Sequence, residues 1–275
     1  MKTNSIFIAI PLAFLTSCSI KTNDKVQDGD SFGNLFSTSK SVSGTGSMED
    51  KTYNLNFDDI KVSSGINAEI IKSDVEKIVI SAPSDLLNEV WVEQSGDAVH
   101  IHFKPNLNIR NSDRVKATIY AKDFSKLSAT SSAKIVVKDK FIQDKTDIFV
   151  SSSGSISGNL EANKFNLHVS SSGDFTGKIW AVDFTGEISS SGDVTISGSS
   201  TNSNFEVSSS GKLDARNFTT KNADLQASSS GDISMKVSTQ LNASASSSGD
   251  IEVQKAGNLN IQNKKESSGG SVLVR

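Results

Sequence analysis

The sequence is poor in several features on which other classes of protein depend. It has 1 Cys, which excludes an internal disulfide and a Cys-rich zinc site. Its 28 basic residues are balanced by 31 acidic ones, and Lys and Arg nowhere cluster with aromatic residues. Because such a chain lacks the positive field that holds a phosphate backbone, we expect no nucleic-acid partner.

Small residues are what the chain has in excess. Ser occurs 50 times and Gly 19 times among 275 residues. Such a bias indicates either disorder or a repeat built from small side chains. Helical periods are not found downstream of the N-terminal segment, which favours an all-β fold.

The N-terminus has the features of a targeting segment. Lys2 is followed by the apolar run Ile6 to Leu15, and these ten residues are too few to cross a bilayer, which needs roughly 20. The stretch Leu15-Thr16-Ser17-Cys18 resembles the bacterial lipobox, in which the signal is cleaved before the Cys and the thiol is acylated. We therefore expect residues 1–17 to be a signal peptide and Cys18 to be lipidated; an ordinary signal peptide that contains a Cys is the alternative.

These features predict the location and the domain organisation. Acyl chains on Cys18 would anchor the protein to the membrane without spanning it, as an outer-membrane lipoprotein that faces either the periplasm or the cell surface. Residues 18–50 are rich in Ser, Thr, Asn, Asp and Gly and show no lasting period, so they predict a flexible tether. A β-rich half is expected over residues 51–140 and a repeat half over residues 141–275.

One tetrapeptide, Ser-Ser-Ser-Gly, defines the repeat half. Its copies end at glycines spaced 18 to 20 residues apart, which are Gly154, Gly173, Gly192, Gly211, Gly231 and Gly249, and a looser copy ends at Gly269. Composition alone would make these segments linkers. The flanks contradict this, because apolar residues alternate strictly along them, as in Phe165, Leu167 and Val169. Strict period 2 is typical of strands with one buried face.

A period near 19 with one such stripe per repeat predicts a right-handed parallel β-helix, or solenoid, with about 19–20 residues per coil and coils stacked about 4.8 Å apart. Three short sides with bends between them would close each coil. The alternation places the middle Ser and the Gly of each tetrapeptide on the inward stripe. We expect the Gly to provide a positive φ and close approach at a bend, and the inward Ser hydroxyls to bond one another or the backbone.

The first half predicts shorter strands separated by turn residues. The strands are expected at Leu55 to Val62, Ile66 to Ile71, Lys77 to Ile80, Val90 to Glu93, Ala98 to Phe103 and Val115 to Ala121. The segment Ser95-Gly96-Asp97 between two of them predicts a hairpin.

The same half resembles a known family. The segment from Phe57 to Ile70, FDDIKVSSGINAEI, resembles the opening of the auto-transporter adhesin head domain named GIN after the Gly-Ile-Asn that is here Gly65, Ile66 and Asn67. The continuation is also similar, at Ser84 to Leu87, at Ser95 to Ile101, at Asp123 to Leu127 and in the Ser-Gly repeats. The resemblance implies a β-helix-like exported domain, typical of Bacteroidetes-type bacteria, with no catalytic residues to transfer and no cofactor.

Two sets of side chains are candidate metal ligands. The residue after each repeat glycine points outward and would form a ladder, Asp174, Asp193, Lys212, Asp232 and Asp250, which could hold calcium or consist of solvated turn residues. His100 and His102 share a strand face and could offer two zinc ligands. No third ligand is visible in the sequence and Lys212 interrupts the ladder, so no metal site is predicted.

Catalytic motifs are equally weak. Ser37 to Lys40 and Ser131 to Lys134 match Ser-x-x-Lys, but neither begins a helix as that chemistry requires. Trp180 could stack on a sugar or pack in the core, and Arg216 has no clustered acid pair beside it. We therefore expect a non-enzymatic binding module of adhesin type for an unknown glycan or protein ligand. A structural or assembly protein of the envelope and a glycan-active β-helix enzyme are the alternatives.

Overall fold

Parallel strands stacked in coils make up most of the molecule. The structure is a computed structural model that describes residues 40–275, so the predicted signal peptide, Cys18 and the tether up to residue 39 lie outside the described residues. The chain forms a β-solenoid of about 8 turns, with 66% strand and 3% helix. The predicted all-β solenoid is confirmed.

The first part of the chain contains eleven strands, one helical turn and one 3-10 turn. They are β1 (Lys40–Val42), β2 (Met48–Tyr53), β3 (Asp59–Val62), β4 (Asn67–Lys72), β5 (Lys77–Pro83), α1 (Ser84–Leu87), β6 (Val90–Ser95), β7 (Ala98–Phe103), β8 (Leu107–Ile109), the 3-10 turn (Ser112–Arg114), β9 (Lys116–Ala121), β10 (Lys126–Ala129) and β11 (Lys134–Val137). All six predicted strands are present within a few residues of their expected bounds.

The repeat region contains nine strands, several of which bend through a whole coil. They are β12 (Phe141–Val150), β13 (Ser155–Val169), β14 (Asp174–Ile188), β15 (Asp193–Val207), β16 (Lys212–Ala227), β17 (Asp232–Ala245), β18 (Asp250–Lys255), β19 (Asn260–Glu266) and β20 (Ser271–Val274). Neighbouring coils pair in parallel, and Asp174 stands opposite Ser155 on one side and Asp193 on the other. Register shifts between β15 and β16 and between β16 and β17 accommodate coils of unequal length.

Each Ser-Ser-Ser-Gly segment forms a tight corner. In the second copy, Ser171 and Ser172 have φ values of 50° and 59°, and the Gly173 amide donates to the Ser170 carbonyl over 2.9 Å. Two successive positive φ values with this bond describe a type I′ turn. The Ser172 amide donates to the Ser190 carbonyl of the next coil over 3.0 Å, so the turns stack.

This geometry corrects two expectations about the repeat. In the six full copies the serines, not the glycine, have the positive φ, and the middle Ser171 is exposed because two left-handed residues interrupt the alternation. No hydrogen bond joins the tetrapeptide hydroxyls in the part of the chain that the structure describes. Backbone groups hold the corner instead.

The glycines of the six full Ser-Ser-Ser-Gly copies are inward, as predicted, because a side chain would not fit there. Gly173 is buried, and a Cβ there would lie 2.9 Å from the Val150 carbonyl oxygen of the previous coil. At Gly154 the corresponding distance, to the Ala129 carbonyl oxygen, is 2.4 Å. A side chain at these positions would therefore separate two hydrogen-bonded coils.

The Gly-Ile-Asn segment is an early copy of the same corner. Ser64 and Gly65 have φ values of 62° and 72°, and the Gly65 amide donates to the Ser131 carbonyl in the adjacent coil over 2.8 Å. Ile66 is fully buried, and Asn67 begins β4. The motif glycine thus occupies a position that Ser holds in the later coils.

The coils of the first half do not follow chain order. Strand β3 pairs with β7 on one side and β10 on the other, and β4 pairs with β9 and β11 in the same way. The segment between β4 and β10 therefore forms the outermost coil. Antiparallel strands β6, β5 and β2 cover this end, and such pairing protects strand edges from other chains.

The predicted C-terminal end of the tether, residue 50, lies too far along the chain, because strands begin at residue 40. Residues 40–50 were included in it, but β1 pairs with β8 and β2 pairs with β5. Most of β2 is exposed, so it shows no alternation of apolar and polar residues by which the sequence could have revealed it.

Candidate functional site

A groove of about 970 Å³ runs across successive coils on one side of the solenoid. Cross-coil pairing places small residues in a row at its floor, which are Ala162, Ala181, Ser200 and Thr220, and a second row at one wall, which are Glu161, Trp180, Ser199 and Thr219. Three steps of about 4.8 Å give each row a length of about 14 Å. The groove is therefore long enough for an extended ligand.

Two lysines flank the aromatic side chain of the wall. Lys140 Nζ and Lys178 Nζ lie 5.0 and 4.7 Å from the ring centroid of Trp180. Lys140 Nζ also pairs with Glu161 Oε2 over 2.6 Å. Trp180 is only half-buried, so packing in the core, one of the two roles that the sequence left open for it, is wrong.

Buried hydroxyl groups support the floor of the groove. Ser200 Oγ lies 2.8 Å from both Ser203 Oγ and Thr220 Oγ1, and Thr220 is fully buried. Because each hydroxyl both donates and accepts, the cluster satisfies its own polar atoms. Sequence reasoning missed this cluster, since in a chain with 50 Ser no single serine is conspicuous.

The predicted ladder after the repeat glycines is present. Asp174, Asp193, Lys212, Asp232 and Asp250 are exposed and pair across consecutive coils. Burial, together with the charge of Asp193, raises the pKa of Asp174. Lys212 interrupts the carboxylates in the middle of the ladder.

The hairpin of β6 and β7 brings together three potential metal ligands. It lies at the end of the solenoid that the antiparallel strands cover, here called the capped end. Glu93 on β6 stands opposite His100 on β7, and His102 follows on the same face. Ligand atoms of the three side chains all lie within 4.8 Å of one another. The two imidazole rings stack with centroids 4.1 Å apart. Burial, with smaller effects from His102 and Lys61, lowers the pKa of His100 to about 4.

The Ser-x-x-Lys motifs show no catalytic arrangement where the structure describes them. Ser131 is an exposed corner residue, and Lys134 is exposed at the start of β11. Ser37 lies outside the described residues. Arg216 is exposed and binds the Asp214 carboxylate two residues away, with 2.9 Å from Nε to Oδ1.

Solved structures with the same fold are found among Parabacteroides proteins. A putative adhesin from Parabacteroides merdae ATCC 43184 matches with a TM-score of 0.78 and 18% identity over 86% of this chain and 99% of that one. A putative adhesin from Parabacteroides distasonis ATCC 8503 gives 0.77 and 20% over 86% and 100%. A putative lipid binding protein from the same strain gives 0.71 and 21% over 86% and 100%.

Comparison with other sequences gives the family. Among curated proteins none matches. No helix in residues 40–275 is long and apolar enough to cross a membrane. The model of the family described as "Putative auto-transporter adhesin, head GIN domain" matches residues 56–258, which is more than half of the chain. The chain therefore belongs to the auto-transporter adhesin head GIN domain family.

Proposed function

We propose that this protein is an exported, lipid-anchored component of the outer membrane that acts as a non-catalytic binding module, and that the groove binds an extended glycan. The single observation that carries the proposal is the continuous groove of about 970 Å³, with Trp180 in its wall and hydroxyl-bearing residues along its length. Binding sites are typically concave, with a few polar groups that orient the ligand.

The chemistry of the groove fits a sugar chain. Sugar hydroxyls both donate and accept hydrogen bonds, and Ser199 and Thr219 can do the same, while the Glu161 carboxylate accepts and the Lys221 ammonium donates. The indole of Trp180 offers an apolar surface with a polar edge to the C–H face of a sugar ring. The wall also has one side chain per coil, so it offers a regularly spaced row of contacts to a repeating polymer.

The structural relatives support a binding role and differ in the ligand that their names suggest. Two are described as putative adhesins and one as a putative lipid binding protein. An acyl chain needs a continuous apolar surface. The wall of this groove has the charged Glu161 on one side of Trp180 and the hydroxyl side chains of Ser199 and Thr219 on the other, which favours a glycan over a lipid tail.

A structural role in envelope assembly is the second candidate, and the open end of the solenoid favours it. Within residues 40–275, β19 and β20 each pair with a coil on one side only, β17 and β18 respectively. Ile261 and Leu273 at this end are 41% exposed. A partner strand could add to such an edge. A copurifying envelope protein, lost when these two side chains are replaced by Lys, would favour this candidate.

The groove hypothesis predicts a position-dependent loss of binding. Ser199→Arg places a long charged side chain beside Trp180 in the groove, and we expect it to weaken binding at least tenfold. The probes are fluorescent neutral, acidic and N-acetylated oligosaccharides of at least four sugars, measured by anisotropy. Thr195→Arg is the matched control, because Thr195 is exposed on the same strand but does not line the groove.

Each outcome of this experiment is informative. Equal binding by both variants would remove the groove as the site. If the wild-type protein binds none of the oligosaccharides, the glycan is the wrong ligand class and the assembly role takes its place. Release of reducing sugar during the assay would replace the binding module with an enzyme.

The lipid anchor predicts a simple fractionation result. Cys18→Ala removes the thiol that would be acylated, and we expect the variant to leave the membrane fraction in a carbonate wash while keeping its melting temperature. The folded coils should be unaffected because they begin after residue 39. Retention of the variant in the membrane pellet would contradict the lipoprotein hypothesis.

A further inference from the structure

We propose that Glu93, His100 and His102 form a binding site for a Zn²⁺-type transition metal ion at the capped end of the solenoid. This site is separate from the groove and does not depend on the proposed function. None of its three residues lines the groove.

The strand geometry presents all three ligands on one outward face. Val99, Ile101 and Phe103 fill the interior side of β7, so His100 and His102 point outward together. Antiparallel pairing of β6 with β7 places Glu93 directly opposite His100 and diagonal to His102. The ligands therefore sit on a paired hairpin rather than on a flexible loop.

The hydrogen bonds of His102 favour an ion between it and Glu93. His102 Nδ1 lies 2.8 Å from the Phe103 carbonyl oxygen, which can only accept, so Nδ1 carries the proton. The remaining nitrogen, Nε2, faces Glu93 Oε2 at 3.1 Å. Two ligands about 2.1 Å from a tetrahedral zinc ion stand roughly 3.4 Å apart, so a small adjustment would admit the ion.

An ordinary hydrogen bond, with a proton on His102 Nε2, could also join these two atoms. The presence of His100 as a further ligand favours the metal ion over the proton. His168 and Glu187 form a pair with the same 3.1 Å separation, but with Phe149 stacked on the imidazole instead of another histidine. At His102 a third ligand is within reach. His100 is held by a hydrogen bond of 2.9 Å between Nε2 and Ser63 Oγ, the kind of outer contact that orients ligands in metal sites.

The ligand set and its surroundings indicate the class of metal. Two imidazoles and one carboxylate suit Zn²⁺ and its neighbours in the first transition row, whereas Ca²⁺ requires six or more oxygen ligands. The Glu93 side chain is 56% exposed and borders a pocket of about 580 Å³, so water can complete the coordination. Lys61 stands opposite His100 on β3, and its positive charge limits the affinity.

The test measures ZnCl₂ binding to the full chain by isothermal titration calorimetry. All proteins carry Cys18→Ala, so that the single thiol cannot contribute a ligand. We expect one equivalent of Zn²⁺ to bind and to raise the melting temperature. Glu93→Gln, His100→Gln and His102→Gln should each weaken binding at least tenfold, and Lys61→Gln should strengthen it severalfold.

His168→Gln is the matched control and should leave the affinity unchanged. If His100→Gln is unstable, the exposed Glu93→Gln still tests the site. Absence of Zn²⁺ binding to the parent protein would overturn the proposal. So would equal loss of affinity in the His168→Gln variant, because binding would then be a general property of surface histidines.

Discussion

Replacing Gly192 by Val is expected to destabilise the protein by about 3 kcal/mol or more, as overpacking at a rigid contact does. Gly192 is buried, and a Cβ would lie 2.8 Å from the Val169 carbonyl oxygen of the previous coil. Since Gly192 does not have a positive φ, the cost comes from separating two coils and not from backbone strain. The melting temperature should fall by roughly 6 to 12 °C, at about 2–4 °C per kcal/mol.

The neighbouring residue provides the control. Asp193→Val adds similar bulk one position later, but Asp193 is exposed, so we expect a change under about 1 kcal/mol. Thermal unfolding followed by circular dichroism measures both variants. Equal melting temperatures would show that the alternation does not separate an inside from an outside.

Phe184→Ala is expected to cost about 3–5 kcal/mol, the usual range for removing a buried Phe. Phe184 is 1% exposed. Its ring centroid lies 4.9 Å from those of Phe165 and Phe205 in the coils on either side and 5.7 Å from that of Phe218. Removing the ring leaves a cavity that hydrogen-bonded coils cannot close by moving together. Urea unfolding should show the loss as a lower midpoint.

Phe149→Ala is the matched control for this cavity. Phe149 is 36% exposed and stacks on His168 on the outer surface, with ring centroids 4.7 Å apart. We expect its removal to cost about 1 kcal/mol or less, because no internal cavity forms. If both variants unfold at the same urea concentration, the stacked rings of Phe165, Phe184 and Phe205 do not form the core that the structure indicates.

The repeat region was predictable because two periods coincide in it. A spacing of 18 to 20 residues fixes the coil, and period 2 fixes which side chains face inward. Residues such as Phe165, Leu167 and Val169 are buried as expected. The corner was not predictable in detail, because Ser rarely adopts positive φ and only the stacked backbone bonds hold it there.

Long-range pairing accounts for what the sequence did not show. The groove depends on which residues of successive coils become neighbours, and its floor of Ala, Ser and Thr carries no signal of its own. The third metal ligand, Glu93, could have been found from the sequence. The hairpin at Ser95-Gly96-Asp97 was predicted, and counting outward from its two-residue turn pairs Glu93 with His100.

The order of the first coils could not be read from the chain. Strand β3 pairs with β10, with Asp59 opposite Lys126, although the strands between them in the sequence form a separate coil on the other side of β3. Sequence patterns identify strands but do not state which of them become neighbours when an insertion separates them. The strands were therefore correct and their stacking was not foreseen.

The strand pairing at the capped end of the solenoid determines how the molecule responds to a pulling force. A pull on the N-terminus enters through β1 and β2, which are held by β8 and by the antiparallel strand β5. Force therefore acts first on pairs that are distant in sequence, and the coils cannot peel away one at a time from this end. Stepwise unravelling must start at β20, whose only partner is β18 within residues 40–275. A molecule held by its N-terminus and loaded through a ligand in the groove would thus carry the tension across strand pairs that are distant in sequence.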